Sequence, residues 1–403
     1  MNPIWRAALA AVLLGVVTSL NAQNPVRIGS TLSLTGPLAP AGNIQKVAIE
    51  TFIDDLNGRG GLLGRKVEWV LKDDQSRPEV ARTLYEQLAT VDKVDLLMGP
   101  YGTASILSAM GVAQRYNRIL IHNSFGTPRL AKYDMQFSAS GGAGDPEVVW
   151  PNLAFDAAAS APKPPKTVAI ITNKFPATHF ISSGAREVAK KRGLTEVLFL
   201  EFEFGNRDFG PIASRIKDAK PDLVFVGALG LDGVLLLDAM KKIDYQPSMH
   251  FYTFPAPGPM AKLPEATNAL ALTTFEEHPP FTNDATAARY VQGFRERAAK
   301  AALPSTSPDL LGSIAYASWQ VLEAAVNGAN SFDDKALAAW LRKNHVDTIM
   351  GRLSWQGTPD GPPNYVMGKD IYKVKQLQDG KWLVVWPREF AAPGTKLIGP
   401  SGN

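Results

Sequence analysis

The apolar and polar positions of this chain change period repeatedly along its length. Short runs dense in Val, Ile, Leu and Phe predict strands at 26–34 (VRIGSTLSL), 67–73 (VEWVLKD), 94–99 and 118–123, and again at 167–173, 196–202, 222–228, 249–254 and 270–277. Between them, apolar residues three and four apart predict amphipathic helices over 43–57, 78–90, 103–116, 180–192, 208–219 and 231–243. In the first of these Ile44, Val47, Ala48, Phe52 and Leu56 form the apolar stripe, and Asn43 is the expected N-cap. Strand followed by helix, repeated in this way, predicts parallel sheets covered by helices on both faces.

Two such series occur, separated by GGAGDPEVVWPNLAFDAAASAPKPPK (141–166), a stretch rich in Gly, Ala and Pro. A two-lobed chain follows. The late helical stretches ATAARYVQGFRERAAKAA and PDLLGSIAYASWQVLEAAVNG complete the first lobe, and the β-like runs up to Trp386 return to the second. The expected division is 25–142 plus 278–348 for the first lobe and 143–277 plus 349–390 for the second, with a tail at 391–403. Repeated crossings between lobes make a hinge. The cleft beside it lies at the C-terminal ends of the strands, where open α/β sheets bind ligands.

The segment NGRGGLLGRK (57–66) has the glycines and basic residues of a phosphate-binding loop. Its neighbours argue otherwise. A phosphate loop needs strand, glycines, helix, so that the amides of a new helix face the anion. Here the order is helix, glycines, strand, and the spacing of Gly58, Gly60, Gly61 and Gly64 fits neither G-x-G-x-x-G nor the lysine-containing loop. The glycines read as a helix C-cap and a tight turn at positive φ.

Composition narrows the function classes. The 403 residues are 45% hydrophobic and 20% charged, an ordinary globular balance. The net charge of +4 is scattered rather than gathered into a stripe, which argues against nucleic acid. At the N-terminus one arginine precedes an apolar run from Ala7 to Val17 and then Ala22, the pattern of a cleaved signal peptide over 1–22. The chain contains no cysteine, which removes disulfides, thiolate metal sites and a lipidated N-terminal anchor. A free periplasmic protein is the expectation.

Two segments at predicted strand ends carry candidate chemistry. In MGPYGTASILSAM (98–110) a turn at Gly99 and Pro100 leads into a helix beginning near Thr103, whose free first-turn amides, with the Thr103 and Ser105 hydroxyls, suit a carboxylate; Thr103 is also a natural N-cap. In LIHNSFGTPRL (120–130) Ser124, Gly126 and Thr127 can add hydroxyls and amides from the neighbouring strand end, or simply form a turn ahead of Pro128. Tyr101 and Phe125 stand beside these groups. The five histidines are dispersed without ligand spacing, the Asp-Asp pairs fit solvated faces, and there is no G-x-S-x-G elbow. The expectation is a cleft with no metal, no cofactor and no catalytic constellation.

In their order along the chain, IGSTLSLTGPLAPAG, FIDDLNGRGGLLGRKVEWVLKDDQS, LLMGPYGTAS, RDFGPIASRIKDAKPDLVFVGA and VDTIMGRLSW resemble the leucine/isoleucine/valine-binding protein family, periplasmic solute-binding components of ABC transporters, over about Val26 to Trp386. The resemblance implies an α/β fold of two Rossmann-like lobes with parallel sheets, hinge-linked by three crossovers and closing on one small molecule. It implies a membrane permease as partner, and a monomer is expected. The family holds its ligand's carboxylate at positions that match Thr103, Ser124 and Gly126 here. Its amino-acid-specific positions differ in this chain. A family aromatic falls at Ala41, another becomes Phe175, a tyrosine falls near Leu229, and the acidic partner of the α-ammonium falls near Pro255, beside Phe254. A buried ammonium without a carboxylate partner is costly. The expected ligand is therefore a carboxylate with an apolar or aromatic body and no amino group. Glu276 or Glu277 would rescue amino-acid binding if either faced the cleft, which keeps a branched-chain amino acid as the alternative ligand. An extracytoplasmic ligand sensor is the alternative role.

Overall fold

The computed structural model describes residues 24–123, 130–140, 146–356, 364, 366–368 and 371–399. The expected signal peptide lies outside them, as do Ser124, Phe125 and Gly126.

The first series builds β1 (Val26–Leu32), α1 (Ala39–Gly58), β2 (Val67–Asp73), α2 (Pro78–Thr90), β3 (Leu96–Met98), α3 (Thr103–Arg115), β4 (Leu120–His122) and β5 (Gln136–Ser138). Its five strands pair in parallel in the order β2-β1-β3-β4-β5. Each helix forms for a local reason. In α2 Pro78 occupies the first turn, where its missing N–H has no helical partner to lose, and Ala81, Tyr85 and Leu88 fall on one buried face.

The second series runs α4 (Pro146–Ala159), β6 (Thr167–Asn173), α5 (Pro176–Lys191), β7 (Thr195–Phe202), α6 (Gly210–Ala219), β8 (Leu223–Gly230), α7 (Asp232–Lys242), β9 (His250–Pro255), the single turn α8 (Pro257–Ala261) and β10 (Leu270–Thr273). The chain then returns to the first sheet as α9 (Ala285–Lys300), α10 (Leu310–Ala329) and α11 (Asp334–Leu341), each started by an aspartate whose carboxylate accepts backbone amides: Asp284, Asp309 and Asp333. Helices α9 and α10 pack on α1, where the Phe52 ring meets Tyr316 edge-on at 5.1 Å. A small antiparallel sheet of β11 (His345–Thr348), β12 (Gly351–Ser354) and β13 (Met367–Gly368) follows, and β14 (Lys373–Gln378) and β15 (Lys381–Trp386) close the second sheet. That sheet has the order β15-β14-β10-β9-β8-β6-β7. It is parallel from β10 through β7, whereas β14 and β15 join it antiparallel. The chain thus passes between the two sheets three times.

One local expectation is corrected. Helix α1 begins at Ala39 with Leu38 at its N-cap, so Asn43 lies inside the helix and its side-chain amide donates to the Ala39 carbonyl at 2.9 Å. Pro40 in the first turn explains the earlier start. At the other end the glycines make the expected turn. Gly60, Gly61 and Gly64 all have positive φ, and the Gly61 amide closes on the Leu56 carbonyl at 2.9 Å.

Candidate functional site

A cavity of about 300 Å³ lies between the two sheets at the C-terminal ends of their strands. From the first side it is bordered by Pro37, Leu38, Ala41 and Ile44 at the start of α1, by Tyr101 after β3, and by Leu303, Ser305 and Asp309 ahead of α10. From the second side come three strand ends: Phe204 to Arg207 after β7, Leu229 to Asp232 at the end of β8, and Phe254 to Pro259 at the end of β9.

The structure therefore brings Ala41, Tyr101, Leu229, Phe254 and Pro255 to one cavity. Thr103 and Phe175 are not among its described lining residues. Thr103 is the first residue of α3 and is 5% exposed; the cap is Gly102 at φ 86°, not Thr103. Its hydroxyl makes no hydrogen bond with any other described residue, and the same holds for Tyr101. Such buried hydroxyls are open to a ligand. Burial raises the Tyr101 phenol above its ordinary range, so it remains a neutral donor. Phe175 lies one layer back, its ring 5.4 Å from that of Phe204, which faces the cavity in its place.

The wall is less uniformly apolar than the sequence suggested. Asp232, the first residue of α7, is 8% exposed; its Oδ2 accepts the Asn173 side-chain amide at 2.9 Å and the Leu229 backbone amide at 3.3 Å. Asp309 is 6% exposed and accepts the Gly312 amide at 2.8 Å. Burial raises both carboxyl groups above their ordinary value, and in each case these hydrogen bonds oppose the shift. Arg207 is the one basic side chain among the described lining residues. Leu229 comes from the family resemblance; the rule that strand ends face the cleft would have found the β7 turn. Asp309 carries only the signal of an N-cap ahead of LLGSIAYASW.

Neither Glu276 nor Glu277 rescues an ammonium site. Both are held elsewhere: Glu276 by Lys375 at 2.6 Å and Glu277 by Arg295. Among the described residues no group of His, Asp and Glu is placed to hold a metal ion, and no helix is long and apolar enough to cross a membrane.

The pattern of the periplasmic binding protein family matches residues 25–379. The chain belongs to that family. This periplasmic binding protein is 25% identical over 373 residues to an amino acid binding protein of Pseudomonas aeruginosa, covering 89% of this chain and 93% of that one. Its fold is similar to that of a Rhodopseudomonas palustris ABC-transporter solute-binding protein in complex with benzoate (TM-score 0.74, 17% identity, 94% of this chain and 100% of that one). It is also similar to the Streptococcus pneumoniae branched-chain amino acid transporter protein LivJ in complex with isoleucine (TM-score 0.72, 18% identity, 93% and 100%). A periplasmic binding protein of the ABC-transporter type is extracytoplasmic, and its family is one of solute-binding proteins that work with ABC permeases.

Proposed function

We propose that this chain captures a small carboxylate with an apolar or aromatic body between its two lobes and delivers it unchanged to the permease of an ABC importer. The observation that carries the reading is the chemistry of the second-lobe wall. The end of β9 offers Phe254 and Pro255, and the end of β8 offers Leu229, none with a side-chain acceptor for an ammonium. Opposite them stands the Tyr101 phenol, without a partner among the described residues; α3 begins two residues on, where the Thr103 hydroxyl, also without one there, and the first-turn amides are donors suited to a carboxylate. Ser124 and Gly126, on the segment that follows β4, belong to the same proposed carboxylate site. Phe175 supports it by backing Phe204, and Ala41 leaves room for the ligand body.

The fold itself does not choose a ligand, since related structures hold benzoate and isoleucine alike. Ligand bridging both lobes shifts the open–closed equilibrium by its greater affinity for the closed form, and no bond need break. The second reading, a branched-chain amino acid, is favoured by one observation: Asp309 and Asp232 each bring a buried carboxylate to the cavity.

The test is a thermal-shift and calorimetric screen of the purified protein against benzoate, aliphatic carboxylates, leucine, isoleucine and valine. A ligand that binds only the folded state raises the melting temperature. Stabilisation by the carboxylates alone supports the proposal. Stabilisation by the amino acids alone rejects it in favour of an ammonium site at Asp309 or Asp232.

A further inference from the structure

The second-lobe wall holds two charged groups for which the carboxylate reading leaves no task, Arg207 and Asp232. Their surroundings differ. Asp232 is buried, and both of its hydrogen bonds end on Oδ2, from Asn173 and from the Leu229 amide. Its Oδ1 accepts none from any described residue, so this cavity-lining carboxylate is fixed through one oxygen and keeps the other open. Arg207 lies on the β7 turn two residues past Gly205; it is exposed and makes no ion pair or hydrogen bond with any described residue. The two are near enough for the guanidinium to favour the charged form of Asp232 against its desolvation. An oriented acceptor and an adjustable planar donor thus border the same side of the cavity, across from Tyr101.

The geometry points to Arg207 and Asp232 as specificity-determining residues that read a hydroxyl, or another group that both donates and accepts, on the far end of the ligand. The inference rests on the carboxylate reading. With the carboxylate at the first lobe, the ligand's distal end reaches the β7 and β8 turns. A phenolic hydroxyl there would donate to Asp232 Oδ1 and accept from Arg207. A second carboxylate would be repelled by Asp232, and a bare ring would leave the Asp232 oxygen without a partner, a cost of the kind that makes polar sites reject analogues lacking the matching group. The ligand class is therefore a hydroxylated aromatic or aliphatic monocarboxylate, Phe204 supplying an aromatic face close by.

Calorimetry with benzoate, 3-hydroxybenzoate and 4-hydroxybenzoate on the wild-type protein, Arg207→Gln and Asp232→Asn tests this. The quantity read is the ratio of dissociation constants, benzoate to hydroxybenzoate, within each protein, so that any general loss of affinity cancels. In the wild type one of the hydroxybenzoates should bind about tenfold tighter than benzoate. Each variant should bring that ratio towards one. Asp232→Asn keeps an oxygen for the Asn173 and Leu229 donors while replacing the open acceptor by a donor. Because Arg207 is exposed, Arg207→Gln keeps the test valid even if Asp232→Asn folds poorly. An unchanged ratio in Arg207→Gln, or no preference in the wild type, overturns the inference while benzoate binding leaves the carboxylate reading standing. Binding of leucine with no benzoate or hydroxybenzoate binding overturns both.

Discussion

Lys375 Nζ lies 2.6 Å from Glu276 Oε1, and both side chains are more than nine-tenths buried. Lys375 projects from β14 and Glu276 stands just past β10, on the segment that carries the chain back to the first sheet. The Thr273 hydroxyl donates to the same carboxylate at 2.8 Å, and the ammonium lies 5.1 Å above the Trp382 ring. A glutamate that sequence reasoning holds in reserve for a ligand's ammonium is thus committed to a lysine of its own chain, at the place where the lobes join.

This predicts a particular pattern of stability. Glu276→Gln leaves a buried lysine without its countercharge and should cost about 3–5 kcal/mol, whereas the double change Glu276→Gln/Lys375→Met should cost far less than the sum of Glu276→Gln and Lys375→Met. Urea unfolding of the four proteins gives the coupling energy. Additive effects would show that the two charges are solvated independently.

Thr103→Val removes a hydroxyl that has no partner among the described residues, so the fold should lose little. Ligand affinity should fall about 10- to 100-fold if that hydroxyl donates to the carboxylate, the range for a hydrogen bond to a charged group. Calorimetry with whichever carboxylate the screen identifies measures it. Unchanged affinity would remove Thr103 from the site.

Much of the fold is legible in the sequence because strong local signals coincide with tertiary demands. The runs at 67–73 and 167–173 are strands over those spans, and 78–90 is a helix with its proline at the first turn. Where two local signals compete, the reading slips. Asn43 has the residue type of a cap, but Pro40 already fits the first turn of a longer helix. The antiparallel attachment of β14 depends on its pairing with β10 about a hundred residues earlier, and no local period encodes that. The site divides similarly. Leu229, Phe254 and Pro255 come to the site through the family resemblance, and they stand at strand ends that face the cleft. Asp309 reaches it only because α10 packs on α1, a contact across some 260 positions that hydrophobic patterning cannot express.

The glycines of NGRGGLLGRK should prove structural, and two of them differ measurably. At Gly61, φ is +79° and an added Cβ would stand 1.9 Å from the Arg65 carbonyl oxygen; at Gly64, φ is +80° with open space around it. Gly64→Ala should therefore cost about 1 kcal/mol, the ordinary penalty for that backbone region, and Gly61→Ala distinctly more. Neither should weaken carboxylate binding, since the turn lies at the opposite end of α1 from the cavity. Thermal melts and calorimetry separate the two effects. A loss of ligand affinity in Gly64→Ala would reopen a functional role for the loop.

The buried histidine His250 gives the protein a specific weakness to acid. It is 1% exposed, with Nδ1 3.0 Å from the Tyr252 hydroxyl, and burial lowers its pKa from 6.5 to about 4. The imidazole is thus neutral in the folded state wherever the pH exceeds about 4, while the unfolded chain protonates it below 6.5. Between those values the unfolded state binds the extra proton, so stability present above pH 6.5 drains away as the pH falls, by about 2 kcal/mol at pH 5. His122, also lowered to about 4 by burial, adds to the same trend. Buried Asp74, Asp232 and Asp309 and half-buried Asp334 work against it, because their raised pKa values make acidification relieve a desolvated charge. Wild-type slopes mix these contributions; the difference from a single variant isolates one of them. His250→Gln should lower the melting temperature at pH 7 through lost packing, yet show a smaller further drop between pH 7 and pH 5 than the wild type. Parallel slopes would mean that His250 titrates in the folded state much as it does in the unfolded chain, and that its burial is not what makes the protein sensitive to acid.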